Sequence, residues 1–299
     1  MPGKGGPKTV TANGVELCVE TFGDDACPAI LLIGGNGGAM DYWEDDFCRL
    51  LAEGARFVLR YDLRDTGQSV TYEAGAPPYT GGDLVADVVG LLDAFGLARA
   101  SIVGVSMGGA MAQVVAIEHP ARVAALVLMS TSSGPGGAGS DSPDLPPVSA
   151  KLQAHFAREV AEPDWSRRDA VIDHLVAEER AYAGSLPRDE DARRALAGRV
   201  FDRTIDMASS AKNHALLRGD GEPLRPRLGL IRAPTLVLHG TEDPLFPYAH
   251  GVALAAEIPG AELVPLAGVG HEYPPRAVWR IVVPAIVRHT ARATAESGG

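Results

Sequence analysis

The stretch Ala100-Ser-Ile-Val-Gly-Val-Ser-Met-Gly-Gly-Ala-Met-Ala-Gln-Val-Val-Ala-Ile-Glu-His119 decides how the chain folds. It opens with a short apolar run of the kind that is buried as a strand, and from Gly109 onward it carries an Ala- and Val-rich helical pattern. Between the two stands Gly104-Val-Ser106-Met107-Gly108. That is the spacing of a nucleophile elbow, a strand-turn-helix in which a serine takes a strained backbone conformation at the tip. The residues two positions either side must be nearly free of side chain so that strand and helix can approach, and Gly104 and Gly108 meet that need. Without the flanking strand and helix the same five residues would be an ordinary turn.

Outward from this stretch, strand and helix alternate. On the amino-terminal side, Asp83 to Phe95 has the period of an amphipathic helix, with Leu84, Val88, Leu91 and Leu92 along one face. Phe57 to Tyr61 and Ala29 to Ile33 are short apolar runs of the type found in central strands covered on both faces. Asp41 to Ala52 reads as a helix between them. Val15 to Phe22 alternates apolar and polar residues after an Asn13-Gly14 turn signal, as the second strand of an edge hairpin does. On the carboxyl-terminal side, Val123 to Met129, Thr235 to His239 and Glu262 to Leu266 read as strands, with helices expected over Pro247 to Ile258 and Pro275 to Thr290. Such alternation predicts an α/β architecture: a largely parallel central sheet with helices on both faces.

One segment breaks the pattern. From Ser132 to Pro147 the chain is rich in Gly, Ser and Pro, and Val148 to Leu217 reads as charged amphipathic helices with no buried strand. This is an insertion, and long insertions at the strand-end face of such sheets are where lids lie. Its residues Phe156, Trp165, Tyr182, Phe201 and Met207 are expected to pack helices together, with some of them facing a pocket.

Composition narrows the partners. Hydrophobic residues make up 46% of the chain and charged residues 22%, ordinary for a protein with a sizeable core. A net charge of −11 without a Lys/Arg block opposes nucleic acid or an anionic membrane surface, so a small molecule is expected instead. Cys18, Cys27 and Cys48 lack the spacing of a zinc site or a redox pair and read as free thiols of a reducing compartment. The start has positive charge but no apolar core behind it, and no run reaches the roughly 20 apolar residues that span a bilayer. The expectation is a cytoplasmic protein with a frayed amino terminus.

Two polar clusters follow the early strands. Gly34-Gly35-Asn36-Gly37-Gly38 could cradle a phosphate or present a backbone N–H to a developing oxyanion. It lacks the Lys-Ser/Thr of a P-loop and the glycine spacing of a dinucleotide site, and the serine further on favours the oxyanion reading. In Asp62-Leu-Arg-Asp-Thr-Gly-Gln-Ser69, Asp62 and Asp65 could serve a metal or catalysis; the preferred reading is that they tie the loop together. No cofactor or metal is expected.

A serine hydroxyl needs a base within hydrogen-bond reach, itself oriented by a third group. Ser106 follows one strand, Asp243 lies in the loop after a later strand just ahead of Pro244, and His271 lies in Gly268-Val-Gly-His271 after the last. Loops that leave the carboxyl ends of parallel strands meet on one face. The set is therefore expected to converge. Glu242 is the rival acid. His239 falls in a strand, His119, His250 and His289 on helices or their ends, and His155, His174 and His214 in the insertion, all read as structural or lid residues.

With these residues in view, the chain resembles the α/β-hydrolases from Val15 to Thr290, and the order Ser106, Asp243, His271 is that of the family. The resemblance implies a core of residues 1–131 and 230–299 and a helical cap over residues 132–229. It implies that Gly35, in the position of the family's His-Gly-x loop with Ile33 in place of the histidine, and Met107 donate backbone N–H groups to the oxyanion. Gly-Gly-Asn36, Tyr61-Asp-x-Arg-Asp-Thr-Gly67 and Val-Gly-x-Ser-Met-Gly-Gly109 are similar to actinobacterial polyketide methylesterases of the aclacinomycin type. An ester hydrolase acting by acyl transfer is thus implied. Lactonase, amidase, C–C hydrolase or perhydrolase chemistry on the same residues, and a ligand receptor of the same fold, remain as rivals. A serine at the elbow disfavours the dehalogenases and epoxide hydrolases, which use aspartate there.

Overall fold

Residues 4–134, 142, 144–158, 161–217 and 222–295 are described by the structure, a computed structural model. The strands are β1 (Lys4–Ala12), β2 (Val15–Phe22), β3 (Ala29–Ile33), β4 (Phe57–Tyr61), β5 (Ala100–Val105), β6 (Val123–Met129), β7 (Thr235–Gly240) and β8 (Glu262–Leu266). They form one eight-stranded sheet in the order β1-β2-β4-β3-β5-β6-β7-β8. β2 runs antiparallel to both its neighbours, and the pairings from β4 through β8 are all parallel.

The apolar runs of the central strands are explained by layers on both faces. Leu31, Ile33, Leu59, Ile102, Leu126, Leu128 and Val237 point into one core, shared with α2 (Gly81–Ala94), α3 (Met107–Glu118) and α8 (Ala249–Glu257). Their strand neighbours Ile30, Leu32, Val58, Val103, Val127, Leu236 and Leu238 point into the other, shared with α1 (Asp45–Glu53) and α9 (Trp279–Ala295). Successive side chains alternate faces, so a strand between two helical layers must be apolar throughout. Each fully buried Leu or Ile contributes about 2 kcal/mol through area removed from water.

Three local expectations are corrected. The amino terminus is not frayed from Lys4 onward: Lys4–Ala12 is an edge strand paired with β2, with an irregularity between Gly5 and Lys8. Gly and Pro, which argue against a central strand, are tolerated at an edge and at bulges. Residues 1–3 lie outside the described chain. Asp41 to Ala52 is not one helix. A 3-10 turn at Met40–Tyr42 is followed by buried Trp43, and α1 begins at Asp45. The Trp43 carbonyl accepts from Arg60 of β4 instead of continuing a helix. The last helix likewise starts with a 3-10 turn, Arg276–Val278, before α9.

Between β6 and β7 come α4 (Ala150–Phe156), α5 (Arg168–Tyr182), α6 (Glu190–Arg203) and α7 (Met207–Leu216), and no strand occurs among the described residues there. Positions 135–141 and 143 of the Gly/Ser/Pro-rich connection lie outside the description. Val171, Leu196, Val200 and Met207 bury Ala39 of the loop after β3, with Trp165 and Phe201 packed against them. These helices therefore sit against loops at the carboxyl ends of the strands.

Candidate active site

Ser106 has φ 54° and ψ −118°, a region that L-residues rarely adopt. The surroundings hold it there. The Ser106 N–H donates to the Met129 carbonyl at 3.0 Å, and the Thr131 hydroxyl donates to the Ser106 carbonyl at 2.8 Å. A Cβ on Gly104 would come within 2.2 Å of the Gly108 carbonyl oxygen, and one on Gly108 within 2.4 Å of the Gly34 carbonyl oxygen. The close approach that the Gly-x-Ser-x-Gly spacing predicts is thus present.

β5, β7 and β8 end on the same edge of the sheet, and their following loops carry Ser106, Asp243 and His271. His271 Nε2 lies 2.9 Å from Ser106 Oγ, and His271 Nδ1 lies 2.9 Å from Asp243 Oδ2. A carboxylate only accepts, so Nδ1 carries the proton and Nε2 is left to accept from the serine hydroxyl. Asp243 is buried, and its other oxygen accepts from the Leu245 and Phe246 N–H groups at 2.9 and 2.8 Å. Burial pushes its pKa up, but the charge and hydrogen bond of His271, the charge of His239 and the backbone donors outweigh this and hold it below the usual carboxylate range. Glu242 takes no part in this chain: it accepts from the Ser185 hydroxyl at 2.8 Å. The His271 N–H donates to the Tyr182 carbonyl at 2.8 Å, which pins the histidine loop to the end of α5. The rings of Phe246 and Tyr182 flank His271 at 5.3 and 6.0 Å.

The glycine-rich loop lies beside the serine, and a Cβ on Gly35 would be 3.5 Å from that of Ser106. Met107 opens α3, so its N–H has no intrahelical acceptor. The Gly35 N–H is different: it donates to the hydroxyl of Tyr273 at 2.8 Å. Sequence reasoning passed over Tyr273, because nothing in spacing marks an aromatic residue two places after a histidine. Two further amides of this loop are also engaged, Gly37 with His214 Nδ1 at 3.0 Å and Gly38 with the Gly35 carbonyl at 3.0 Å. Committed in this way, they form no phosphate cradle.

Asp62 and Asp65 tie the loop. Asp62 accepts from the Met40 and Gln68 N–H groups at 2.8 and 3.0 Å and from Arg203 at 2.7 Å. Asp65 accepts from the Tyr72 N–H at 2.6 Å, the Tyr79 hydroxyl at 2.5 Å and Asn213 at 2.9 Å. Arg203, Asn213 and His214 come from α6 and α7, so the inserted helices are bonded directly to the loops after β3 and β4. His214 also donates from Nε2 to the Arg64 carbonyl at 2.8 Å, which occupies both its nitrogens. His239 donates to the Phe246 carbonyl at 2.8 Å, and His250 bonds the Ser132 hydroxyl and the Pro146 carbonyl at 2.8 and 2.9 Å. These are structural histidines. Among the described residues no cluster of side chains has the make-up of a metal site, and no helix is long and apolar enough to cross a membrane. No disulfide joins the three cysteines among the described residues, and burial, then the nearby Asp62 charge, pushes the Cys18 thiol up to about 11.

A displayed serine, a histidine on its hydroxyl and a buried aspartate behind the histidine, set at the ends of parallel strands, define a hydrolase of the α/β type. Residues 28–273 match the α/β-hydrolase fold family, and the chain belongs to it. It is 30% identical to the rhodomycin D methylesterase DauP of Streptomyces sp. (strain C5), over 96% of this chain and 99% of that protein. Among solved structures it resembles the enol-lactonase of Burkholderia xenovorans LB400, at 27% identity with a TM-score of 0.64 over 97% of this chain and 98% of that one. An esterase from Rhodococcus sp. ECU1013 shares the fold at 20% identity, with a TM-score of 0.73 over 95% and 98% of the two chains.

Proposed function

We infer that the protein hydrolyses a carboxylic ester of a small molecule, with Ser106 as nucleophile, His271 as general base and acid, and Asp243 as its orienting partner. The observation that carries this reading is the unbroken chain from the Ser106 hydroxyl through His271 to Asp243, 2.9 Å at each link. As Ser106 Oγ adds to the ester carbonyl carbon, its proton passes to His271 Nε2 and the carbonyl oxygen becomes an oxyanion. Collapse expels the alcohol, which takes that proton. Water then adds to the acyl-serine with His271 again accepting a proton, and the acid leaves as Ser106 regains its hydrogen. Asp243 keeps Nδ1 protonated and offsets the positive charge on the ring. The Met107 N–H faces the oxyanion from one side, and Gly35 lines the other.

Within this reading α4 to α7 act as a cap that sets substrate choice, and the placement is cytoplasmic, in keeping with cysteines that form no disulfide among the described residues. A methyl ester on an aromatic polyketide is the proposed substrate class. It is supported by the end-to-end similarity to the rhodomycin D methylesterase and by the aromatic rings around His271. Lactone opening on the same residues is the second reading, supported by similarity to the enol-lactonase. A panel of p-nitrophenyl esters, methyl esters of polycyclic acids and lactones tests both. Turnover of an ester is expected, with kcat in Ser106→Ala lower by about 10³-fold or more; failure of every acyl substrate, or an active Ser106→Ala, contradicts the reading.

A further inference from the structure

The Gly35 N–H, which the family position would aim at the oxyanion, is occupied by the Tyr273 hydroxyl. Tyr273 is not a loose side chain that happens to fall there. Its ring stacks on Tyr42 at 5.3 Å and 17° and meets the edge of buried Trp43 at 5.0 Å and 83°. The glycine loop is shaped around its oxygen: a Cβ on Gly38 would come within 2.4 Å of it, and one on Gly34 within 3.0 Å. A ring clamped by two aromatic residues and a hydroxyl seated in a glycine cradle make a built position. The hydroxyl oxygen accepts from Gly35, yet among the described residues its own proton meets no acceptor. Gly35 has both this hydroxyl and Ser106 as near neighbours: a Cβ on Gly35 would lie 3.5 Å from the Ser106 Cβ and 4.0 Å from the Tyr273 oxygen.

We propose that Tyr273 is a further catalytic residue of the esterase reading above: its hydroxyl donates a hydrogen bond to the oxyanion, standing between that oxygen and the Gly35 N–H. Gly35 then acts through the phenol. An acceptor bond from Gly35 polarises the O–H and strengthens it as a donor, as happens along hydrogen-bonded chains in a low-dielectric site. No proton is transferred; the phenol stays neutral and the bond shortens as charge develops on the carbonyl oxygen. Burial supports this by holding the Tyr273 pKa well above the ordinary phenol value, even against the Gly35 hydrogen bond that lowers it, so the donor is present throughout the neutral range. Fixed donors aimed at developing charge need no reorganisation during reaction, which is where the clamp of Tyr42 and Trp43 matters.

The test is Tyr273→Phe, which keeps the ring and its stacking and removes only the hydroxyl. With a p-nitrophenyl ester that the wild type turns over and Ser106→Ala does not, kcat is expected to fall by about 10²-fold, with KM changed by no more than about threefold, as for loss of one oxyanion donor. Thermal unfolding should stay near that of the wild type. If the wild type turns over no ester at all, the esterase reading fails first. If it does, and Tyr273→Phe matches or exceeds the wild-type kcat, the hydroxyl is a plug or a bystander and the proposal alone is overturned. Should Tyr273→Phe not fold, 3-fluorotyrosine at position 273 supplies a stronger donor of nearly the same shape: kcat above the wild type supports the proposal, and kcat at or below it counts against it.

Discussion

Ser106 keeps a positive φ that costs of order 1–3 kcal/mol, and the neighbouring Met129 and Thr131 contacts and the two flanking glycines show what holds it there. Two other residues tie stability to pH. His214 and His239 are buried, and burial lowers the pKa of each against the hydrogen bonds and acidic neighbours that raise it. Each is therefore harder to protonate in the native protein than in the unfolded chain, where it titrates near the ordinary histidine value of about 6.5. As pH falls below that value the unfolded state takes up more protons than the native state, so stability present above about 6.5 is lost. Between pH 7.5 and 6.0 the urea unfolding midpoint should therefore fall; a midpoint that rises on acidification contradicts this. At this scale the sequence disclosed Ser106, Asp243 and His271, because each sits at a spacing that an elbow or a strand-ending loop requires. Tyr273 and Arg203 were hidden. Their partners, Gly35 and Asp62, lie 238 and 141 positions away, and no local pattern records such a contact.

Among the elements, the helices of the insertion depend on a few polar ties to the core. Arg203, at the end of α6, donates to Asp62 and also pairs with Asp41. Asp62 is wholly buried, so Arg203→Ala leaves a carboxylate with its two backbone donors and no charge partner. Breaking such a pair should cost about 2–3 kcal/mol, less than for a fully buried partner because Arg203 is partly exposed. Chemical denaturation measures it; a loss under about 0.5 kcal/mol would place the tie among ordinary surface pairs. Element boundaries were legible where periodicity was long. The helix expected from Asp83 in fact begins at Gly81, capped by Thr80, whose hydroxyl accepts from the Asp83 N–H while the Asp83 carboxylate accepts from the Thr80 N–H. The break at Trp43 was not legible, because it arises from an acceptor role toward Arg60 of another strand.

Over the whole molecule, alternation of strand and helix was enough to foresee a parallel sheet with two helical layers, because only that arrangement explains strands apolar on both faces. It also foresaw that loops after β5, β7 and β8 would gather on one rim, and they do. What alternation could not give is the packing of α4 to α7 against that rim, which rests on contacts such as Gly184 against the Gly268 carbonyl and the His271 N–H on Tyr182. The account depends on one consequence of this convergence: the Ser106 hydroxyl is activated. The most direct measurement is intact-mass and peptide mapping after treatment with a fluorophosphonate, which reacts with serines made nucleophilic by a neighbouring base. The account predicts a single adduct on Ser106, formed far more slowly in His271→Ala. An adduct absent from Ser106, or formed there just as fast without the histidine, contradicts it.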